Sequence, residues 1–254
     1  MAEDVKVSWR GFDSVNRVVA DRYVIVGELG RGGMGVVWRA DDRVIGRQVA
    51  LKEIQASGGP DARTAAGLDD PGVVTVYDVL TDRDSTFVVM ELVEAPTLAD
   101  IMAAQGPLAA DRVATIGLAL LAALEVAHGA GIVHGDVKPG NVMLLPGDRV
   151  KLADFGIARA MDDPGYQAPE LVDGGMPSPA SDLWSLGTTL CHAVEGRAPS
   201  HRDEEVRLQL CPGPLAGVIH GLLSQDPGRR WTPTEVRQAL SGRPTRWLRG
   251  LTSR

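Results

Sequence analysis

Four polar residues at fixed offsets could carry chemistry in this sequence. Asp136, Lys138 and Asn141 stand in His134-Gly135-Asp136-Val137-Lys138-Pro139-Gly140-Asn141, and Asp154 follows thirteen residues past Asn141, in Asp154-Phe155-Gly156. An Asp can orient a hydroxyl nucleophile, and a Lys can neutralise charge on a phosphoryl group in transfer. An amide with a second carboxylate can hold magnesium. The set therefore suits phosphoryl transfer from a metal-bound nucleotide.

Two further stretches fit a nucleotide. Gly30-Arg31-Gly32-Gly33-Met34-Gly35 lies between two predicted strands, and glycines let backbone amides approach phosphates closely. A simple glycine-rich hairpin would give the same string. Val49-Ala50-Leu51-Lys52 places a lysine on an otherwise apolar strand, where a buried ammonium needs an anion unless it snorkels to the surface. The chain has 22 Arg but only 4 Lys, and two of those four are Lys52 and Lys138.

The elements that must position these residues change character along the chain. Tyr23–Val26, Val36–Ala40, Gln48–Ile54, Val73–Val79 and Phe87–Leu92 read as five strands with short turns, hence a small antiparallel sheet. From about residue 94 helical patterns take over. Thr97 and Asp100 make a capping box, and Val113, Ile116, Leu120, Leu124 and Ala127 recur at helical spacing. Asp182–Val194 and Leu215–Leu223 read as further helices, and Thr232-Pro233-Thr234-Glu235 opens a last one that ends before Gly242.

Bulk properties narrow the class. A chain of 254 residues with 44% hydrophobic and 23% charged residues has an ordinary globular composition. A net charge of −7 argues against nucleic acid as the main partner. Cys191 and Cys211, the only two cysteines, lack metal-ligand spacing and fit a reducing cytoplasm. Neither a transmembrane run nor the apolar core of a signal peptide is found, so a cytoplasmic location is expected.

Together these strings resemble the catalytic domain of bacterial, actinomycete-like Hanks-type Ser/Thr protein kinases, over about residues 22–241. Ala168-Pro169-Glu170, Asp182-Leu183-Trp184-Ser185-Leu186-Gly187 and Asp226-Pro227-Gly228-Arg229-Arg230 extend the match. The resemblance implies an α+β, bilobal fold, with a five-stranded antiparallel N-lobe (22–92) and a mostly helical C-lobe (93–241). An N-terminal extension (1–21) and a basic tail (242–254) would flank them. It implies ATP with Mg2+ or Mn2+ as cofactors, a protein substrate, and room for a regulatory protein. By the same resemblance Asp136 is the catalytic base and Lys138 stabilises the γ-phosphoryl group, while Asn141 and Asp154 hold metal. Gly30, Gly32, Gly35, Val37, Ala50, Lys52, Glu91, Val93 and Met143 would bind ATP. His134, Phe155, Glu170, Asp182 and Arg230 would be structural: Asp182 ties down the catalytic loop, and Arg230 pairs with Glu170.

The chain departs from that family in four places. Gly135 stands where most such kinases carry the arginine that reads a phosphorylated activation loop, which implies that this switch is absent. Only eighteen residues separate Lys52 from Pro71, so the helix that normally pairs a glutamate with the strand lysine is short. Register places Asp61 there, one methylene shorter, and Glu53 points to the other face of its strand. Asp154 to Glu170 spans seventeen residues and contains no Ser or Thr, with Tyr166 its only hydroxyl. The stretch after Gly196-Arg197-Ala198-Pro199 is also short. Three readings stay open: an active Ser/Thr kinase, a pseudokinase that binds ATP or scaffolds, and a small-molecule phosphotransferase of the same fold, which shares His134-Gly135-Asp136. The short segments are either true deletions or omitted residues.

Overall fold

The computed structural model describes residues 16–32, 35–54, 67–155, 164–199 and 208–241. The chain divides into two compact units, Met1–Gly59 with Val76–Val93, and Pro60–Thr75 with Glu94–Arg254.

In the first unit, β1 (Val18–Val19), β2 (Tyr23–Gly32), β3 (Gly35–Asp42), β4 (Arg47–Ile54), β5 (Val76–Asp82) and β6 (Ser85–Glu91) form one sheet in the order β1-β2-β3-β4-β6-β5. Every neighbouring pair is antiparallel. The expectation of five strands is corrected to six, because Val18–Val19 adds a two-residue edge strand on β2. Two residues are too few to show alternation, so the sequence gives no strand signal there. One face of the sheet carries a packed apolar cluster that includes Ile25, Val36, Trp38, Leu51, Phe87 and Val89. Asp42 fixes the β3–β4 turn: its Oδ1 accepts the backbone N–H of Val44 (3.0 Å) and Ile45 (3.3 Å), and Arg22 grips it bidentately at 2.8 and 2.7 Å. The guanidinium and these amides hold the Asp42 carboxyl down at about 2 against the cost of burial.

The apolar run expected as one strand over 73–79 is split. Val73 and Val74 pair instead with Leu152 of the second unit, and β5 begins at Val76. Alternation reports which face is apolar, not which strand is the neighbour.

The second unit holds α1 (Leu98–Gln105), α2 (Ala110–Gly129), the hairpin of β7 (Val142–Leu145) and β8 (Arg149–Leu152), then α3 (Pro169–Val172), α4 (Pro179–Glu195), α5 (Pro214–Leu222) and α6 (Pro233–Leu240). The expected capping boxes of α1 and α6, at Thr97/Asp100 and Thr232/Glu235, both form. The α4 helix starts earlier than the expected Asp182, because Ser178 caps it and Pro179 occupies its first turn. It is buried on all sides, including Ser181, Asp182, Ser185, Thr188 and Thr189. A helix buried all round lies at the centre of its unit, and its polar side chains need partners there.

Candidate active site

The segment between α2 and β7 folds into a short 3-10 turn, Pro139–Asn141, that brings Asp136, Lys138 and Asn141 together. Lys138 Nζ lies 2.7 Å from Asp136 Oδ2. The Asn141 side-chain amide donates to the same Oδ2 at 2.9 Å and to the Asp136 carbonyl at 2.8 Å. Two donors thus aim one carboxylate without covering its other oxygen. A hydroxyl placed at Oδ1 would meet a preoriented base, next to a cation able to offset charge on a phosphoryl group.

His134 joins this loop to the segment that carries Asp154. Its Nδ1 accepts the backbone N–H of Asp136 at 3.0 Å, so the ring proton sits on Nε2, which donates to the Ala153 carbonyl at 2.8 Å. Phe155 packs edge-on against the imidazole with ring centroids 4.5 Å apart. Asp154 follows β8 in the left-handed region, φ 69°, which turns the chain sharply between Ala153 and Phe155. Ala153 N–H also donates to the Asn141 carbonyl at 2.9 Å. The two residues expected to hold metal therefore sit on backbone segments that are hydrogen-bonded to each other.

Asp182 anchors the loop from α4. It is fully buried and accepts the backbone N–H groups of His134 and Gly135, each at 2.8 Å. Gly135 has φ 79°, a conformation that an arginine at this position would adopt only under strain. His128 Nε2 completes the anchor at 2.7 Å from Asp182 Oδ2. Sequence reasoning missed His128, although it lies four residues past Leu124, on the buried stripe of α2.

The expected Glu170–Arg230 pair forms as a bidentate fork of 2.7 and 3.0 Å, with further Arg230 bonds to the Ala180 and Ser224 carbonyls. Burial tends to raise the Glu170 carboxyl, but the guanidinium outweighs it and holds the group below its ordinary value. Tyr166, the only hydroxyl of its segment, lies 2.5 Å from His192 Nδ1 on α4, and its carbonyl accepts from Ser185 at 2.8 Å. Met143, on β7, is half-buried.

In the first unit, Gly30, Gly32, Gly35 and Val37 lie on the β2–β3 hairpin, in the pairs Gly30↔Val37 and Gly32↔Gly35. Val37, Lys52 and Val88 form one row across β3, β4 and β6, and Arg39, Ala50 and Met90 form the next but one. Lys52 is only 5% exposed and sits on the face opposite the apolar cluster. Glu53 points the other way, as expected, and bonds Trp38 and Arg17 there. Glu91 ends β6, and Val93 follows it, half-buried. Asp61, the residue expected to face Lys52, and Gly156 lie outside the described residues. Among the described residues no group of three or more His, Cys, Asp or Glu forms a self-contained metal site.

Comparison with known proteins gives the family and the fold. The profile of the protein kinase domain family matches residues 23–240. A probable serine/threonine-protein kinase of Streptomyces coelicolor is 37% identical over 218 residues, covering 75% of this chain and 32% of the relative. PknA of Mycobacterium tuberculosis is 35% identical over 216 residues, covering 74% of this chain and 50% of the relative. PrkC of Bacillus subtilis is 30% identical over 243 residues, covering 87% and 36%. The chain thus spans from 32% to 50% of the length of these curated relatives. The crystal structure of the M. tuberculosis PknI kinase domain superposes with a TM-score of 0.75 at 28% identity, over 91% of this chain and 99% of that one.

Proposed function

This chain belongs to the protein kinase domain family, and from that premise we propose that it is a serine/threonine-protein kinase that uses ATP and Mg2+ (or Mn2+). The observation that carries the reading is the Asp136–Lys138–Asn141 cluster, aimed at one carboxylate oxygen and anchored from below by Asp182. In the proposed reaction a Ser or Thr hydroxyl of a protein substrate gives its proton to Asp136 Oδ1. Its oxygen forms a bond to the γ-phosphorus as the bond to the β-phosphate oxygen breaks, releasing ADP. Lys138 offsets charge on the transferring group. Asn141 and Asp154 would hold the metal, which would neutralise phosphate charge when bound. Gly30, Gly32, Gly35 and Lys52 would take the phosphates. Val37, Ala50 and Met143, with the backbone of Glu91 to Val93, would take the base.

The Glu170–Arg230 fork and the Trp184 ring beneath it support a protein substrate rather than a small molecule, since they fix the segment that would face a peptide. We place the reaction in the cytoplasm, where ATP is supplied and where two buried free thiols are stable. No helix among the described residues is long and apolar enough to cross a membrane.

The test is transfer of labelled phosphate from ATP to a generic basic protein or to the chain itself. Asp136→Asn should lower the rate by about a thousandfold, within the range for loss of a general base, at unchanged melting temperature. Wild-type activity no higher than this variant, with retained Mg-ATP binding, would make the chain a nucleotide-binding pseudokinase. The absence of Ser and Thr from residues 154–170 is the observation that favours that second reading.

A further inference from the structure

We propose that Glu53 is a positioning residue: it sets the register of β4, and so the direction of Lys52 and the seat of the glycine hairpin. The proposal rests on the kinase reading for its consequence but not for its geometry. From Val49 to Ile54, β4 is buried on both faces. Alternation of apolar and polar residues usually fixes the register of a strand, because a one-residue slip exposes its apolar face. A strand buried on both sides lacks that signal. Within the buried run Val49–Ile54 the only polar residues able to distinguish the two faces are the consecutive pair Lys52 and Glu53. A slip by one would carry the ammonium into the cluster of Val36, Trp38, Leu51 and Phe87 and put a carboxylate in its place.

Glu53 is built to prevent that slip. It is 8% exposed on the apolar face, and both carboxylate oxygens are engaged. Oε2 accepts the indole N–H of Trp38 on β3 at 2.9 Å, and Oε1 accepts from Arg17 Nη1 at 3.0 Å. Arg17, just ahead of β1, also reaches Asp82 at 3.7 Å and lies 5.2 Å over the Phe87 ring. Arg17 and Trp38 on β3 therefore converge on the Glu53 carboxylate of β4, and Arg17 is held in turn by Asp82 on β5 and Phe87 on β6. Burial works to raise that carboxyl, and the Trp38 and Arg17 bonds outweigh it, leaving it charged and below its ordinary value.

The same residue seats the hairpin. Gly35, which pairs with Gly32 and closes the described part of the glycine-rich turn, has φ 138°. A Cβ there would stand 1.9 Å from the Glu53 carbonyl oxygen. The hairpin thus rests directly on the Glu53 peptide, while the preceding residue is Lys52. Two phosphate-directed features share one fixed point, and its side chain faces away from both.

The experiment titrates the full chain with Mg-ADP by calorimetry and follows hydrogen exchange of the β4 amides. Trp38→Phe removes one donor, Arg17→Met the other, Glu53→Leu both bonds, and Glu53→Gln keeps an acceptor for Trp38. Lys52→Ala is the reference for losing the phosphate contact. Trp38→Phe and Glu53→Leu should weaken Mg-ADP binding by about tenfold, the size of one charge-assisted hydrogen bond, and speed β4 exchange. Glu53→Gln should stay within about twofold of wild type. A purely structural role would lower the melting temperature but leave the affinity of the folded protein unmoved, and that result overturns the proposal. If Glu53→Leu does not fold, Trp38→Phe decides. If the wild type fails to bind Mg-ADP, the kinase reading falls, and β4 exchange alone decides whether Glu53 holds the strand.

Discussion

At the scale of single residues, the division of labour around Asp136 is visible in its two oxygens. Lys138 and Asn141 both address Oδ2, so each orients the carboxylate without occupying the oxygen that would take a proton in the proposed reaction. Lys138→Met should therefore lower kcat by about a hundredfold, as for loss of one electrostatic stabiliser, with little change in KM for ATP. Steady-state kinetics at saturating ATP read this directly. Asp182→Ala is a different case, because it strips the acceptor from two buried amides and from His128. It should cost about 3 kcal/mol of stability, the range for orphaned buried groups, measured by urea unfolding, and should abolish activity through the loop. The spacing of Asp136, Lys138 and Asn141 was legible in the sequence because all three lie in one short turn. The His128 contact was not, because it joins residues fifty-four apart whose meeting depends on how α2 and α4 cross.

At the scale of elements, the backbone sets the constraints. Gly35 closes the β2–β3 hairpin at φ 138° against the Glu53 carbonyl. Gly35→Ala must both strain the backbone and move β4, so a loss of about 2 kcal/mol or more is expected. It should show as a lower melting temperature and a raised KM for ATP. Helix starts were readable from local chemistry, as at Thr97 and Thr232, where the cap and the acid three residues later bond each other. The split of the run near Val73 was not readable. Its first residues satisfy their backbone on Leu152, far along the chain, and only the assembled fold offers that partner.

At the scale of the whole molecule, carboxylates held below their ordinary values make folding sensitive to acid. Asp42 and Glu53 in the first unit and Glu170 in the second all have folded values below their ordinary ones. A depressed carboxyl stabilises the fold fully above its unfolded value, and that contribution is lost as pH falls toward the folded one. For Asp42, 1% exposed, the drop from 3.8 to about 2 corresponds to about 2 kcal/mol, lost between roughly pH 4 and 2. Asp42→Asn should remove that part of the slope when urea midpoints are compared between pH 7 and 3. The sequence by itself determined the spacing of Asp136, Lys138 and Asn141, the change from strands to helices and the membership of the chain in its family. These rest on short-range spacing and on the periodicity of apolar residues, both written in neighbouring positions. Only the tertiary structure decided the sixth strand, the His128 link to Asp182 and the Trp38 and Arg17 partners of Glu53. The edge strand is too short to show a pattern, and the His128 and Glu53 contacts join groups distant in sequence, where burial makes a polar group take whichever partner the packed fold places beside it.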